Sequence, residues 1–330
     1  MYYEDFTEDV RERVEDLIQE DIPGCIVTVR NVVKNNGVRR KALSFVVKDE
    51  KATPTIYLSE FYEDYREGRL LDDICEEIIE TYKRGLARFQ DEIDIEDFTD
   101  YDKVQDQIFL KLVNQEMNEK LLKDVPWRAY LDLGIVYYVA VSSDECSATV
   151  LIHNDHLKHW GINEEELYKK AYANTLEKRK PEILRMKDVI KDMIIERITG
   201  STDILAEDME YGGKTKEEVE EMVNEEIDKV ERQKPMEMFI LTNDIKTNGA
   251  VCMMYPNVLK DFAEEKGLDL FIIPSSIHEV LLVPKKSGSA KRLNEILNDV
   301  NKNSLDSVEI LSNKIYSYSR KLDEVVIEEV

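Results

Sequence analysis

Cysteine, glycine and proline are sparse in this 330-residue chain, long apolar runs are missing, and basic residues are outnumbered by acidic ones. The four cysteines, Cys25, Cys75, Cys146 and Cys252, stand far apart without a CxxC pair. That dispersal gives neither a disulfide framework nor a zinc ribbon and fits reduced thiols in a cytoplasm. The longest strongly apolar stretch, Leu133–Val141, has nine residues, about half of the ~18–20 needed to cross a bilayer. The opening Met1-Tyr2-Tyr3-Glu4-Asp5 has neither the basic start nor the apolar block of a secretory signal, so a cytoplasmic protein without a membrane segment is expected. With 45 Lys and Arg against 70 Asp and Glu, the formal charge is −25. A field of that sign repels a phosphate backbone, so direct nucleic-acid binding is not expected.

Several chemical signatures are also missing. There is no GxGxxG turn and no GxSxG elbow. Gly213-Lys214-Thr215 has the tail of a phosphate loop, but Asp208 stands where its first glycine belongs, and Glu207, Asp208 and Glu210 oppose a triphosphate. Residues 91–102, DEIDIEDFTDYD, hold seven acids and no base. Without a glycine they do not form an EF-hand loop and are expected as a solvated boundary or an acidic contact surface. No cofactor is expected.

What remains is a folded composition, 42% hydrophobic and 35% charged. Phe6, Val10, Val14, Leu17 and Ile18 recur at helical spacing before Pro23-Gly24. Cys25 to Val47 reads as two strands joined at Asn35-Asn36-Gly37, a hairpin signal. Thr55–Leu58 adds a strand, Ser59 caps a short helix, and a longer helix runs from Leu70 to Tyr82. Further on come a strand over 108–113, a helix over 116–123, and strands over 130–141 and 148–152 about a polar turn. Asn163 with Glu166 forms a capping-box pattern opening a helix that continues, broken, past Pro181 to Ile198. A polar insert over about 200–235 carries a helix from Thr215, its stripe Val219, Met222, Val223, Ile227 and Val230. Strands at 236–242, 249–254, 269–273, 279–283 and 314–319 alternate with helices at 257–266 and 289–301. The pattern predicts an α+β protein with antiparallel or mixed sheets, helices packed on them, and no doubly wound parallel sheet.

Two constellations carry possible chemistry. His153, His156 and His159 recur every third residue, so two imidazoles with Asp155 or a distant carboxylate are candidate metal ligands. The competing role is structural: His153 ends a strand, Asn154 caps the next helix, and Gly161 stops it. In Phe271–Pro284, extended backbone would put Ser276 and His278 on one face, a candidate nucleophile and base beside Ser275 and Glu279. The competing role has Pro274 ending a strand, the serines bonding a turn, and His278 satisfying a loop group. His278-Glu279 also begins like a zincin motif, but Leu282 replaces the second histidine.

Leu241-Thr242-Asn243, Gly249-Ala250, Tyr255-Pro256 and Ile273–Val280, with Tyr57, Tyr62, Tyr65, Gly68, Val125-Pro126 and Asp132-Leu133, resemble a domain-of-unknown-function family of anaerobic gut-type bacteria and their mobile elements. The resemblance covers nearly the whole chain. Residues 130–176 and 236–320 are more loosely similar to a second uncharacterised bacterial family, through Glu166-Leu167, Ala171, Asn174, Pro274-Ser275 and Val280–Val283. That family has Arg-Asp where this chain has His278-Glu279. The resemblances imply no activity. They imply one domain from about 101 to 330, a cytoplasmic setting, and the segment 274–279 as the place to look.

The expected organisation is an α+β domain over 1–100 with a β-hairpin and a second over 101–330 containing the insert. The expected function is a non-enzymatic, acidic protein-interaction module linked to mobile elements, its carboxylates steering a basic protein partner. A decoy for a nucleic-acid-binding protein extends that expectation. The alternatives are a small hydrolase using Ser276 and His278, and a metal-binding module at His153, His156 and His159.

Overall fold

A computed structural model of the chain describes residues 1–48, 53–92, 98–143, 146–199, 218, 221–225 and 236–329. The chain forms two compact units: Met1–Leu110, Gln115–Arg128 and Val136–Thr175 make one, and Lys111–Asn114, Ala129–Ile135 and Leu176–Val330 make the other. Residue 100 falls inside the first.

In the first unit, α1 (Tyr3–Ile18) buries Phe6, Val10, Val14 and Ile18 of the helical stripe read from the sequence, while Leu17, assigned to the same stripe, lies beside it and is exposed. β1 (Ile26–Val33), β2 (Arg39–Val46) and β3 (Thr55–Tyr57) form an antiparallel sheet in that order. Asn36 and Gly37 both take positive φ, 59° and 69°, the condition for a turn that follows the twist of a two-stranded ribbon. α2 (Ser59–Arg66) follows, with Leu58 and not Ser59 at the cap position. α3 (Leu71–Glu92) buries Ile74, Ile78 and Tyr82 against Val27, Leu43 and Phe45. The rings of Phe45 and Tyr82 stack 3.8 Å apart. Each fully buried side chain of this size contributes about 1.5–3 kcal/mol.

α4 (Tyr101–Val104) leads into a four-stranded sheet of β4 (Ile108–Asn114), β6 (Leu133–Ser143) and β5 (Trp127–Tyr130) in that order, with β7 (Cys146–Leu151) antiparallel on β6. The single strand expected over 130–141 is divided because Leu131 takes φ 56°. The expected helix over 116–123 is a run of turns with one 3-10 turn at Leu121–Lys123. Asn118, buried there, accepts from the Asn36 N–H at 2.8 Å and donates to its side chain, a local bonding that competes with helix. α5 (Asn154–Trp160) and α6 (Glu164–Lys178) complete the unit. The capping box is present: the Asn163 N–H donates to Glu166 Oε2 at 2.9 Å and the Glu166 N–H to Asn163 Oδ1 at 3.0 Å. Arg128 forks onto Glu164 at 2.7 and 2.9 Å, and Glu164 also accepts from the Tyr137 hydroxyl.

The second unit holds a six-stranded sheet ordered β13-β12-β10-β11-β9-β8, every neighbouring pair antiparallel. Its strands are β8 (Pro181–Arg185), β9 (Phe239–Asn243), β10 (Leu270–Ile273), β11 (Val280–Pro284), β12 (Tyr316–Ser319) and β13 (Glu324–Ile327). β8 replaces the broken helix expected past Pro181. Flanking bonds from the Asp244 N–H to Lys180 O and from the Met186 N–H to Met238 O hold it in the ladder, and α7 (Met186–Thr199) begins only afterwards. The strand expected at 249–254 is a buried 3-10 segment, Gly249–Met254; its Ala250 N–H bonds the Ile277 carbonyl. α8 (Val258–Lys266) and α9 (Ala290–Asn303) follow. α9 sets Leu293 and Leu297 against Phe271, Ile273 and Val283. Of the 200–235 insert only Glu218 and 221–225 are described, with Val223 buried; the Thr215 cap, Val219, Ile227 and Val230 lie outside the described residues. The fold is α+β, as the patterning predicts, with no doubly wound parallel sheet among the described residues. No helix among them is long and apolar enough to cross a membrane.

Segment 311–316 is fastened by side chains from distant parts of the chain. The Asp132 carboxylate accepts from Ser312 Oγ and from the Tyr316 hydroxyl, each at 2.7 Å. Asn114 donates to Leu311 O and Asn301 to Ser312 O, both at 3.0 Å. Removing an acceptor from two buried hydroxyls costs about 1–3 kcal/mol for each. Asp132→Ala is therefore expected to lower stability by about 2–6 kcal/mol and Tyr316→Phe by about 1, measured as the displacement of the urea unfolding midpoint.

Candidate functional site

The loop between β10 and β11 brings together the residues singled out in the sequence. The Ser275 N–H bonds Ile273 O at 2.8 Å, turning the chain as β10 ends. Ser276 is 2% exposed. Its hydroxyl donates to Glu279 Oε1 at 2.8 Å and accepts from the His278 N–H at 3.0 Å. The imidazole of His278 has other partners: Nδ1 accepts from the Asn248 N–H at 3.2 Å, and Nε2 lies 3.9 Å from Glu309 Oε1. A serine nucleophile must deliver its proton to a base. Here the hydroxyl is joined to Glu279, not to the imidazole. The same loop is locked from below. His278 O accepts from Thr242 Oγ1 at 2.8 Å, and a Cβ at Gly249 would stand 2.6 Å from His278 O, 2.7 Å from Asn243 N and 2.3 Å from Thr242 Oγ1.

The three other histidines share a short helix end. His153 is the cap residue of α5 in place of Asn154, whose side chain donates instead to Lys123 O at 3.3 Å. The His153 N–H donates to His156 Nδ1 at 2.9 Å. The His156 ring packs edge-on to Phe98 at 5.0 Å and stacks on Trp160 at 5.7 Å. Burial, reinforced by the neighbouring His153, holds its pKa below the usual histidine value. His153 and His159 are exposed. Among the described residues no group of three or more His, Cys, Asp or Glu side chains is placed to hold one metal ion.

A cleft of about 430 Å³ opens between β8 and α8. Ladder bonding occupies the even residues of β8, so Ile183 and Arg185 direct their backbone N–H and C=O groups away from β9. Their side chains line the cleft with Phe239, and α8 supplies Asp261, Phe262 and Glu265 from successive turns. Phe239 and Phe262 meet edge-to-face at 4.9 Å. Lys266 lies over both rings at 5.2 and 5.4 Å and bonds Glu265 at 2.8 Å. That bond, with Arg185 contributing, holds the Glu265 carboxyl below the usual range. The Arg185 guanidinium and the Asp261 carboxylate have no hydrogen-bonded partner among the described residues. The cleft thus joins an apolar floor to uncommitted charge of both signs. Sequence reasoning missed it because Pro181 was read as a helix break; alternation over only five residues was the available signal.

Two outcomes are expected. Gly249→Ala should destabilise the protein by about 1–3 kcal/mol or more, because the added methyl meets backbone atoms that cannot rotate aside; urea unfolding measures it. His156 favours the neutral ring in the fold, so its contribution is present above the unfolded histidine value and is lost as pH falls below about 6.5. The wild type should lose more stability between about pH 7.5 and 5.5 than His156→Gln does, measured by thermal unfolding at both pH values.

No curated protein and no solved structure matches the chain. A family model does, over residues 3–320, a span that takes in the 274–279 loop, the histidine helix and the cleft. The chain accordingly belongs to the family of unknown function DUF5688.

Proposed function

We propose that this protein is a non-enzymatic protein-interaction module that takes an extended segment of a partner along β8, with an apolar side chain of that segment in the cleft beside α8. The observation that carries the reading is the coincidence of backbone groups at Ile183 and Arg185 that have no hydrogen-bond partner among the described residues with an apolar floor under their own side chains. Main-chain pairing gives such a contact affinity, and alternate side chains falling into pockets give it selectivity. Arg185 and Asp261 add opposite charges at the rim, so the partner segment carries an acid and a base flanking its apolar anchor. The net charge of −25 favours encounter with a partner that is basic overall.

The bonding of Ser276 supports a non-enzymatic role, since its proton is directed to Glu279 in a buried loop. A cytoplasmic setting is supported by the free, buried thiols of Cys25, Cys75 and Cys252. The sequence resemblance to proteins of mobile elements supports an accessory role for the interaction, and a decoy for a nucleic-acid-binding protein is its extension, resting on charge alone.

Capture from source-cell lysate with wild-type, Arg185→Glu and Ser276→Ala baits tests this. A partner recovered in stoichiometric amounts by wild type and Ser276→Ala, and reduced about tenfold by Arg185→Glu, is the expected result. Stoichiometric labelling of Ser276 by a fluorophosphonate would overturn it in favour of the hydrolase.

A further inference from the structure

The imidazole of His278 stands between two groups that favour opposite protonation states. Nδ1 accepts from the Asn248 N–H at 3.2 Å, which requires that nitrogen to carry no proton and places the ring's proton on Nε2. Nε2 faces Glu309 Oε1 at 3.9 Å, a carboxylate that attracts a charged ring. The His278 side chain is 30% exposed, so solvent reaches it, whereas Asn248 is buried.

The backbone that carries the ring is fixed, so the side chain is the part left to move. The His278 N–H donates to Ser276 Oγ at 3.0 Å, and its carbonyl accepts from Thr242 Oγ1 at 2.8 Å. The Ile277 N–H donates to Glu309 O at 2.9 Å, which keeps Glu309 beside the loop. Across from the ring, Asn243 clamps Thr247 with both atoms of its amide, at 2.9 and 3.2 Å. Lys246 and Asn248 take positive φ, 52° and 54°, conformations that a residue with a Cβ keeps only when its surroundings hold it there. The charged groups on the segments packed against the ring are Glu279 on its own loop, Asp244 and Lys246 beside Asn248, and Asp306 with Glu309. Glu279 is taken up by the Ser276 hydroxyl at 2.8 Å. Among the described residues, Glu309 alone brings a carboxylate within 4 Å of a ring nitrogen.

We propose that His278 is a proton-operated latch: its neutral ring ties the left-handed turn at Lys246–Asn248 to the 274–279 loop, and its protonated ring releases Asn248 and turns to Glu309. A proton added to Nδ1 sets one N–H against another at Asn248, so the bond that closes the latch does not survive it. The charge gained is compensated by Glu309. The buried Asn248 amide then loses its acceptor, and the turn it anchors loses one of its supports. None of these groups lines the β8 cleft, and the inference does not depend on that site.

The test is amide hydrogen exchange of the full chain, followed by NMR at about pH 7.5 and about pH 5, on either side of the usual histidine value, with each rate divided by that of an unstructured peptide at the same pH. Protection of the Asn248 amide is expected to fall about tenfold at the lower pH, the equivalent of one hydrogen bond, while amides of the β10–β11 ladder keep theirs. Ring nitrogen shifts of His278 should place the proton on Nε2 alone at the higher pH. His278→Asn keeps an acceptor at the Nδ1 position that binds no proton in this range, so Asn248 should stay protected at both pH values. Glu309→Gln removes the compensating charge, and the loss of protection should move to lower pH. Asn248 protection that does not change with pH in the unaltered protein, a ring proton on Nδ1 at the higher pH, or the same fall in His278→Asn would each overturn the proposal. A fall shared equally by the β10–β11 ladder would overturn it too, since the opening would then be general.

Discussion

Asp132 is the residue that fastens the irregular chain leading into β12. Its carboxylate is the common acceptor of Ser312 and Tyr316, whose hydroxyls burial would otherwise leave unsatisfied. Tyr316 is fully buried and its hydroxyl is pushed well above the ordinary tyrosine value, chiefly by burial and then by the Asp132 charge. The hydroxyl therefore stays protonated and donates to the Asp132 carboxylate. Because Ser312 Oγ also accepts from the Lys314 N–H, the turn before β12 has a defined conformation, and β12 enters the sheet in a fixed register between β10 and β13. Apolar packing alone tolerates small slips. A carboxylate holding two hydroxyls does not.

The same division between packing and polar specification runs through the candidate sites. The β8 cleft is made by an apolar floor common to many interiors, and its character comes from Arg185, Asp261 and the Lys266–Glu265 pair at its rim. The 274–279 loop is the reverse case, with polar groups almost fully committed to one another. A loop so satisfied is well suited to holding the ends of β9, β10 and β11 together. An open edge keeps its bonding capacity in reserve, which is the property that association with another chain requires.

Elements whose cause is local were legible in the sequence. Asn36-Gly37 dictates a turn by itself, Asn163 and Glu166 stand at reciprocal positions, and α1 shows its buried stripe because its period is unbroken over sixteen residues. Elements whose cause is distant were not. β8 is a strand because β9 offers it a ladder, and Gly249–Met254 leaves the extended state because Thr242 and His278 crowd Gly249. The left-handed conformation of Leu131 has no residue-type signal at all. For the sites, sequence placed Ser276, His278 and Glu279 in one loop but could not say which atom bonds which. The two walls of the cleft are separated by the whole 200–235 insert, so no motif joins them.

The interleaving of the two units has a consequence during synthesis. Asp132 and Ser312 are 180 residues apart, and at ~5–20 residues per second the ribosome takes about 9–36 s to pass from one to the other. Early in that interval the four-stranded sheet within 108–151 is already complete, while the strands of the six-stranded sheet, from Pro181 on, are still being added. Until Ser312 and Tyr316 emerge, the Asp132 carboxylate lacks both of its hydroxyl donors, so the fastening of β12 forms only near the end of synthesis.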